Sequence, residues 1–316
     1  MLTFGPVPSR RLGRSLGINH IPAKICTYSC VYCQVGRTLE MRIERKGFHD
    51  PAEIEDAVRE RLARLSEKGV SVDYLTFVPD GEPTLDIHLG QAIARLKPLG
   101  IKVAVITNGS LIWRQDVRTE LMQADWVSLK VDSVEEEVWH RVDRPHGALR
   151  LDSILEGMLT FARAFDGELV TETMLVRELN DRCENLVDLA AFLARLGAAR
   201  AYLAVPTRPP AESWVQAPDE DTLNQAYQIL RQEIEAVELL TGYEGDAFAS
   251  TGDAEVDLLG ITAVHPMREE SVRSFISRAG ADWSLVRRLI EEGRLVETEY
   301  DGAKFYLRRF SRSARN

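Results

Sequence analysis

The chain has 316 residues, 45% hydrophobic and 28% charged, with a net charge of −10, which suits a globular protein with one large domain and a small one. No run of apolar residues reaches the length of a transmembrane helix, so no membrane partner is expected. Residues 268–316 carry 11 Lys/Arg and 8 Asp/Glu, a net of +3, against 28 and 41 over residues 1–267; this excludes a protein that coats nucleic acid and leaves only a modest basic tail, which permits nucleic-acid contact without favouring it.

A strand is expected near Ser15–Ile18, directly before a loop holding three of the four cysteines. Pro51–Leu65 reads as a helix because Ile54, Val58, Leu62 and Leu65 recur at three- and four-residue intervals. Asp73–Val78 is a predicted strand, Leu85–Leu96 a helix, and Ile101–Ile106 a strand ending in the turn signal Thr107-Asn108-Gly109. Gln115–Met122 (helix), Trp126–Val131 (strand), Leu151–Phe165 (helix), Leu169–Val176 (strand), Cys183–Leu196 (helix) and Arg200–Val205 (strand) continue the alternation. Strands separated by helices imply right-handed βαβ units and a parallel sheet. Six such units suit an α/β fold, a partial (β/α)6 barrel open on one side, with its site at the C-terminal strand ends.

Beyond the sixth strand, Asp219–Leu240 reads as one long amphipathic helix, Gly242–Gly252 as a loop, and residues 241–267 as a linker. Glu269–Arg278 and Asp282–Glu292 are two further helices; on the second, Leu285, Val286, Leu289 and Ile290 supply the buried face while Arg287 and Arg288 face outward. Arg294–Val296 and Phe305–Leu307 flank Asp301-Gly302, a hairpin signal. Helix–turn–helix followed by a hairpin is the winged-helix plan. The expected organisation is a barrel with its trailing helix over 1–240, the linker, and a winged-helix-like domain over 268–316.

Cys26-x3-Cys30-x2-Cys33 offers three thiolates on one short loop and leaves a fourth coordination position without an obvious protein ligand. Thiolates suit an iron–sulfur cluster. Zinc is the competing occupant, but a structural zinc closes with four ligands, and only His20 lies close by in sequence. A disulfide framework is disfavoured by four cysteines in 316 residues and no apolar, basic-flanked leader. Reduced thiols point to the cytoplasm. Cys183 precedes Leu186, Ala190 and Leu193 at helical spacing and is expected to be a buried core thiol.

With this loop ahead of a βα barrel, the chain resembles the radical S-adenosylmethionine (SAM) superfamily across residues 5–210. Tyr32 stands before the last cysteine, as the family's cluster motif has an aromatic there. Gly81-Glu82-Pro83-Thr84-Leu85 follows the second strand and is similar to the family's Gly-Gly-Glu motif, with Asp80 in place of the first glycine. Ser128, Lys130 and Asp132 end the fourth strand on one face. The opening Gly5–Gly17 and Cys33-Gln34-Val35-Gly36 resemble a narrower branch of iron–sulfur oxidoreductases, distantly similar to the tRNA wyosine-base synthases. Those synthases use a second cluster on three more cysteines, and only Cys183 is left over here. The cofactor chemistry therefore carries over, and the tRNA substrate does not.

The resemblance implies one 4Fe–4S cluster on Cys26, Cys30 and Cys33, with SAM on the fourth iron and cleaved to a 5′-deoxyadenosyl radical that abstracts hydrogen. Glu82, beside Gly81, is expected to accept from SAM's amino group and Lys130 to pair with its carboxylate. Ser128 or Asp132 would bond the ribose, Asn108 the methionine or ribose, and Tyr32 would lie beside the adenine. Val205 and Pro206 would offer backbone groups to the adenine edge. Arg10, Arg11 and Arg14 are candidates to close over the cluster or an anionic substrate, and Trp139, His140 and residues 141–146 to line a substrate pocket. An electron donor such as flavodoxin or ferredoxin is the implied partner. A peptide or protein substrate recruited by the winged helix is the first reading, and an RNA substrate the second. A non-catalytic DNA-binding regulator is the reading from another class, and the intact Glu82 opposes it.

Overall fold

The computed structural model describes residues 1–242 and 248–309; residues 243–247 of the expected loop and 310–316 of the expected C-terminal domain lie outside them. The chain opens with an antiparallel hairpin, β1 (Thr3–Ser9) and β2 (Gly13–Ile18). Two short strands, β3 (Ile25–Cys26) and β4 (Glu40–Met41), pair in parallel and tie off the cysteine loop. Then come α1 (Pro51–Glu67), β5 (Tyr74–Phe77), α2 (Leu89–Leu96), β6 (Lys102–Thr107), α3 (Gln115–Leu121) and β7 (Trp126–Lys130). α4 (Glu136–Val142), α5 (Leu151–Ala162), β8 (Glu168–Met174), α6 (Cys183–Leu196), β9 (Arg200–Ala204), α7 (Glu220–Glu233) and β10 (Val237–Leu240) follow.

The sheet order is β1-β2-β5-β6-β7-β8-β9-β10, parallel from β2 onward. All six expected strands are present and form a partial barrel. Successive strand residues point to opposite faces. Leu75, Phe77, Val103, Val105, Val127 and Leu129 pack outward into the core shared with the helices. Ala104, Trp126, Val170 and Tyr202 point inward and pack with Leu12 from the first hairpin. Local signals agree with this plan: α1 starts with Pro51 in its first turn and Asp50 as cap, whose carboxylate accepts from Ala52 N at 2.8 Å.

Two expectations for residues 219–267 are corrected. The long helix ends at Glu233, and Val237–Leu240 is instead an eighth strand, parallel to β9. Ile234 and Val237 continue the three- and four-residue spacing of α7, so periodicity alone runs the helix on. The second correction concerns the linker, which contains α8 (Ala254–Val264), buried from Asp257 to Val264. A helix apolar all round belongs inside a protein. It packs on β1 and on the last strand, and Asp257 forms a buried ion pair with Arg61 of α1 at 2.6 Å.

The C-terminal module adds β11 (Met267–Arg268), α9 (Glu269–Arg278), α10 (Trp283–Glu291), β12 (Leu295–Tyr300) and β13 (Ala303–Arg308), with sheet order β11-β13-β12. The hairpin turns on Asp301 and Gly302, both at positive φ. Val286 and Leu289 are buried in α10, with Leu285 and Ile290 packed partly against the same cluster. Arg288 reaches back to Glu255 of α8. No described helix is long and apolar enough to cross a membrane.

Candidate active site

Inner-face side chains and the cysteine loop meet at one cavity of about 350 Å³, a size suited to a cofactor or small ligand. Cys26, Cys30 and Cys33 border it together with Tyr32, Gly81, Glu82, Asn108, Lys130 and Val205. Ser128 and Asp132 are set back. Ser128 is buried on the sheet beneath Lys130. Asp132 lies beyond the last residue of β7, so strand alternation no longer governs it. Its carboxylate accepts from Met174 N at 2.6 Å and from the Tyr32 hydroxyl. Asp132 therefore holds Tyr32, and Lys130 Nζ sits 4.8 Å from the centre of the Tyr32 ring.

The loop is shaped by short-range backbone bonds, Cys33 N to Cys30 O at 3.1 Å and Gly36 N to Cys33 O at 2.9 Å. Asn108 Nδ2 donates to Thr27 Oγ1 at 2.8 Å and approaches Cys26 Sγ at 3.6 Å. Burial pushes the Cys26 thiol up to about 12 and the Cys30 thiol well above its usual value. At Cys33 burial also raises the pKa, while Lys24 and Lys130 oppose the rise. Among the described residues no three His, Cys, Asp or Glu side chains are gathered as a preassembled single-ion site. Three half-buried thiols on one cavity, with cations beside them, fit a thiolate-bound cluster. The zinc alternative loses its fourth ligand, because His20 is fully buried, edge-on to Phe77, with Nε2 3.4 Å from Pro83 O.

Gly81 and Glu82 are built into this loop. A Cβ at Gly81 would meet Ile25 O at 2.0 Å, so only glycine lets the second strand end pass the base of the cysteine loop. Glu82 N donates to the same Ile25 carbonyl at 3.1 Å. The Glu82 carboxylate is buried and accepts from Thr84 N (3.0 Å), Thr84 Oγ1 (2.6 Å), Thr107 Oγ1 (2.5 Å) and Asn108 N (2.9 Å). Burial raises its pKa and these donors oppose the rise. Three of the four bonds fall on Oε1, leaving Oε2 with spare acceptor capacity in a residue that borders the cavity.

Opposite lies a charged group that the sequence alone did not single out. Glu172 on β8 receives Lys130 Nζ on Oε1 at 2.7 Å and Arg11 on Oε2. Burial would raise its pKa, but Lys130 and Arg11 outweigh this and hold it at about 2. Burial likewise works against the Lys130 charge, and Glu172 and Asp132 keep it protonated. Two cations on one carboxylate leave positive charge in the cavity. The only hint of Glu172 was its place two residues after Val170 in the strand ELVTETM, which puts both side chains on one face.

The other candidates separate. Arg10 borders the cavity with Arg11, whereas Arg14 pairs with Asp73 at the surface. Val205 reaches the cavity, but the Pro206 carbonyl accepts from Tyr300 of the C-terminal module at 3.1 Å. Trp139 is buried against Tyr28, and the 136–142 segment is a helix outside the main cavity. Cys183 is exposed rather than buried; it is the first residue of α6, and the buried face starts one turn later at Leu186. Val264 and His265 close the cavity from α8, linked through Gln34 Nε2 to Val264 O (3.1 Å) and Arg208 to both Gln34 and His265 (3.0 and 3.2 Å).

Comparison with known proteins agrees with this geometry. Residues 20–190 match the family described as the radical SAM superfamily. A UPF0026 protein of Methanocaldococcus jannaschii is 44% identical, with 100% of this chain and 98% of that one covered. Among solved structures, TYW1 with a lysine-pyruvate adduct bound superimposes with a TM-score of 0.53 at 17% identity, covering 69% of this chain and 73% of that one. Streptococcus suis SuiB bound to S-adenosylmethionine gives 0.52 at 15% identity, covering 70% and 49%. With its cysteine loop, its Gly81-Glu82 turn and its partial barrel, the chain belongs to the radical SAM superfamily and is one of its enzymes.

Proposed function

We propose that the enzyme holds a single 4Fe–4S cluster on Cys26, Cys30 and Cys33, binds SAM on it, and abstracts a hydrogen atom from a peptide or protein substrate. The bound cluster would supply the electron that cleaves SAM to methionine and a 5′-deoxyadenosyl radical. The observation that carries this reading is the meeting of three thiols, Glu82 and Lys130 at one cavity. Glu82 would accept from SAM's amino group through Oε2, and Lys130, charged but steered by Glu172, would pair with its carboxylate. Tyr32, fixed by Asp132 and facing Lys130, would bound the adenine side. Asn108 orders the Glu82 turn through its backbone and the cysteine loop through its side chain. The C-terminal module, read as a winged helix and joined to the cavity wall through α8, would offer the substrate its approach. The net charge of −10 favours a peptide over a polyphosphate chain.

Anaerobic reconstitution with iron, sulfide, SAM and dithionite tests the proposal. About four irons per chain and release of 5′-deoxyadenosine are expected. Cys30→Ala should lose both, and Cys183→Ala should keep both. A cluster-loaded protein that releases no 5′-deoxyadenosine would refute the reading.

A further inference from the structure

The proposed chemistry needs one electron for each SAM cleaved, and electron transfer weakens steeply with distance. A donor protein must therefore dock where the thiols lie closest to solvent. On the outer side of the cysteine loop, Val31 accepts from Glu212 N at 3.1 Å and donates to Val142 O at 2.9 Å. These bonds draw the loop, the end of α4 and the 208–218 segment into one surface. Glu212 is shared by Arg37 and Arg144, whose side chains are 69% and 41% exposed. Two guanidiniums on one carboxylate leave a positive charge on the surface of a chain whose net charge is −10. Leu39, two residues from Arg37, is 58% exposed, and Trp214, two residues from Glu212, is 51% exposed. Cys30 and Cys33, on either side of Val31, carry thiols that border the cavity, so this surface lies on the same short loop that holds them.

We propose that Arg37, Leu39, Arg144 and Trp214 form the docking surface for a small acidic protein that carries single electrons. Exposed large apolar groups within a charged rim are typical of interaction sites, and Trp and Arg are the side chains that most often anchor them. Charge explains the choice of partner. An acidic carrier is repelled by most of this chain and attracted locally, so the patch steers it to the cysteine loop. RNA fits less well: the patch holds two cations that share one carboxylate, where a phosphate backbone requires an extended basic track.

This inference rests on the radical SAM cleavage proposed above, and its test separates the two. Reconstituted full-length protein is supplied with SAM and driven either by dithionite, which needs no docking, or by reduced flavodoxin. In Arg37→Glu, Leu39→Glu and Trp214→Glu, flavodoxin-driven 5′-deoxyadenosine formation should fall about tenfold or more, with dithionite-driven formation within about twofold of wild type. The flavodoxin-driven rate of the wild type should also fall with added salt. Leu39→Glu and Trp214→Glu alter exposed side chains only, so they carry the test if Arg37→Glu disturbs Glu212. An unchanged flavodoxin-driven rate in both would overturn the docking surface, as would substitutions that weaken binding of bulk tRNA and spare donor-driven turnover. A wild-type protein inactive with dithionite would instead overturn the cleavage reading itself.

Discussion

At the scale of single residues, the site is organised by buried charge. Lys130 sits against Glu172 at 2.7 Å and beside the Tyr32 ring. If it pairs with SAM's carboxylate, Lys130→Met should weaken SAM binding about tenfold to a hundredfold, the usual worth of a charge-assisted hydrogen bond. Calorimetric titration of the cluster-loaded protein measures this, and the cluster's absorbance should persist. His20 gives a second residue-level prediction. Burial holds its pKa at about 4, against 6.5 when exposed. Below pH 6.5 the unfolded chain takes up a proton that the folded chain refuses, so stability falls as pH drops from 6.5 towards 4. Between pH 7 and 5 this group should cost roughly 2 kcal/mol. Urea unfolding of the cluster-free protein should show a shallower pH slope in His20→Leu, and an equal slope would contradict the assignment.

Among the elements, most of the barrel could be read directly from the chain, because strands such as β5 and β6 are short, largely apolar runs closed by a turn signal. The cysteine spacing, Gly81-Glu82 and Lys130 were equally legible, since each depends on a local motif. What escaped the sequence depends on tertiary packing. Glu172 matters because β8 sets it beside Lys130 and because the first hairpin brings Arg11 from 161 residues away. β10 shares the spacing of the helix before it, and its identity as a strand comes from pairing with β9. α8 was hidden in an expected linker, although its nearly apolar stretch Leu258–Val264 is itself a signal of burial. Its attachment can be tested. Asp257 accepts from Ser250, from Thr251 and from Arg61, which also donates to Gly5 O at 2.6 Å. Asp257→Ala leaves Arg61 buried without its counter-ion and should cost about 3–5 kcal/mol by chemical denaturation. A change below 1 kcal/mol would mean that water replaces the lost partner.

For the whole molecule, the end of α8 closes the cavity at the strand ends, and α8 in turn packs on β1 and on β13 of the C-terminal module. Val264 and His265 border the cavity, Gln34 and Arg208 join that wall to the cysteine loop, and Tyr300 binds the end of β9 through Pro206. The module thus meets the barrel beside the cavity through Tyr300, while the cavity wall itself comes from the end of α8. The relative from Methanocaldococcus jannaschii aligns over this module as well as the barrel. The three-cysteine loop, at first open to more than one metal, now faces a cavity where Glu82 and Lys130 can orient an amino acid's two charged ends. The most direct test is electron–nuclear double resonance on the reduced, reconstituted protein with SAM labelled with nitrogen-15 at the amino group and oxygen-17 at the carboxylate. Binding of SAM to the cluster predicts hyperfine coupling to both labels, lost in Cys30→Ala with the cluster itself. A reduced cluster that shows neither coupling at saturating SAM would contradict the account.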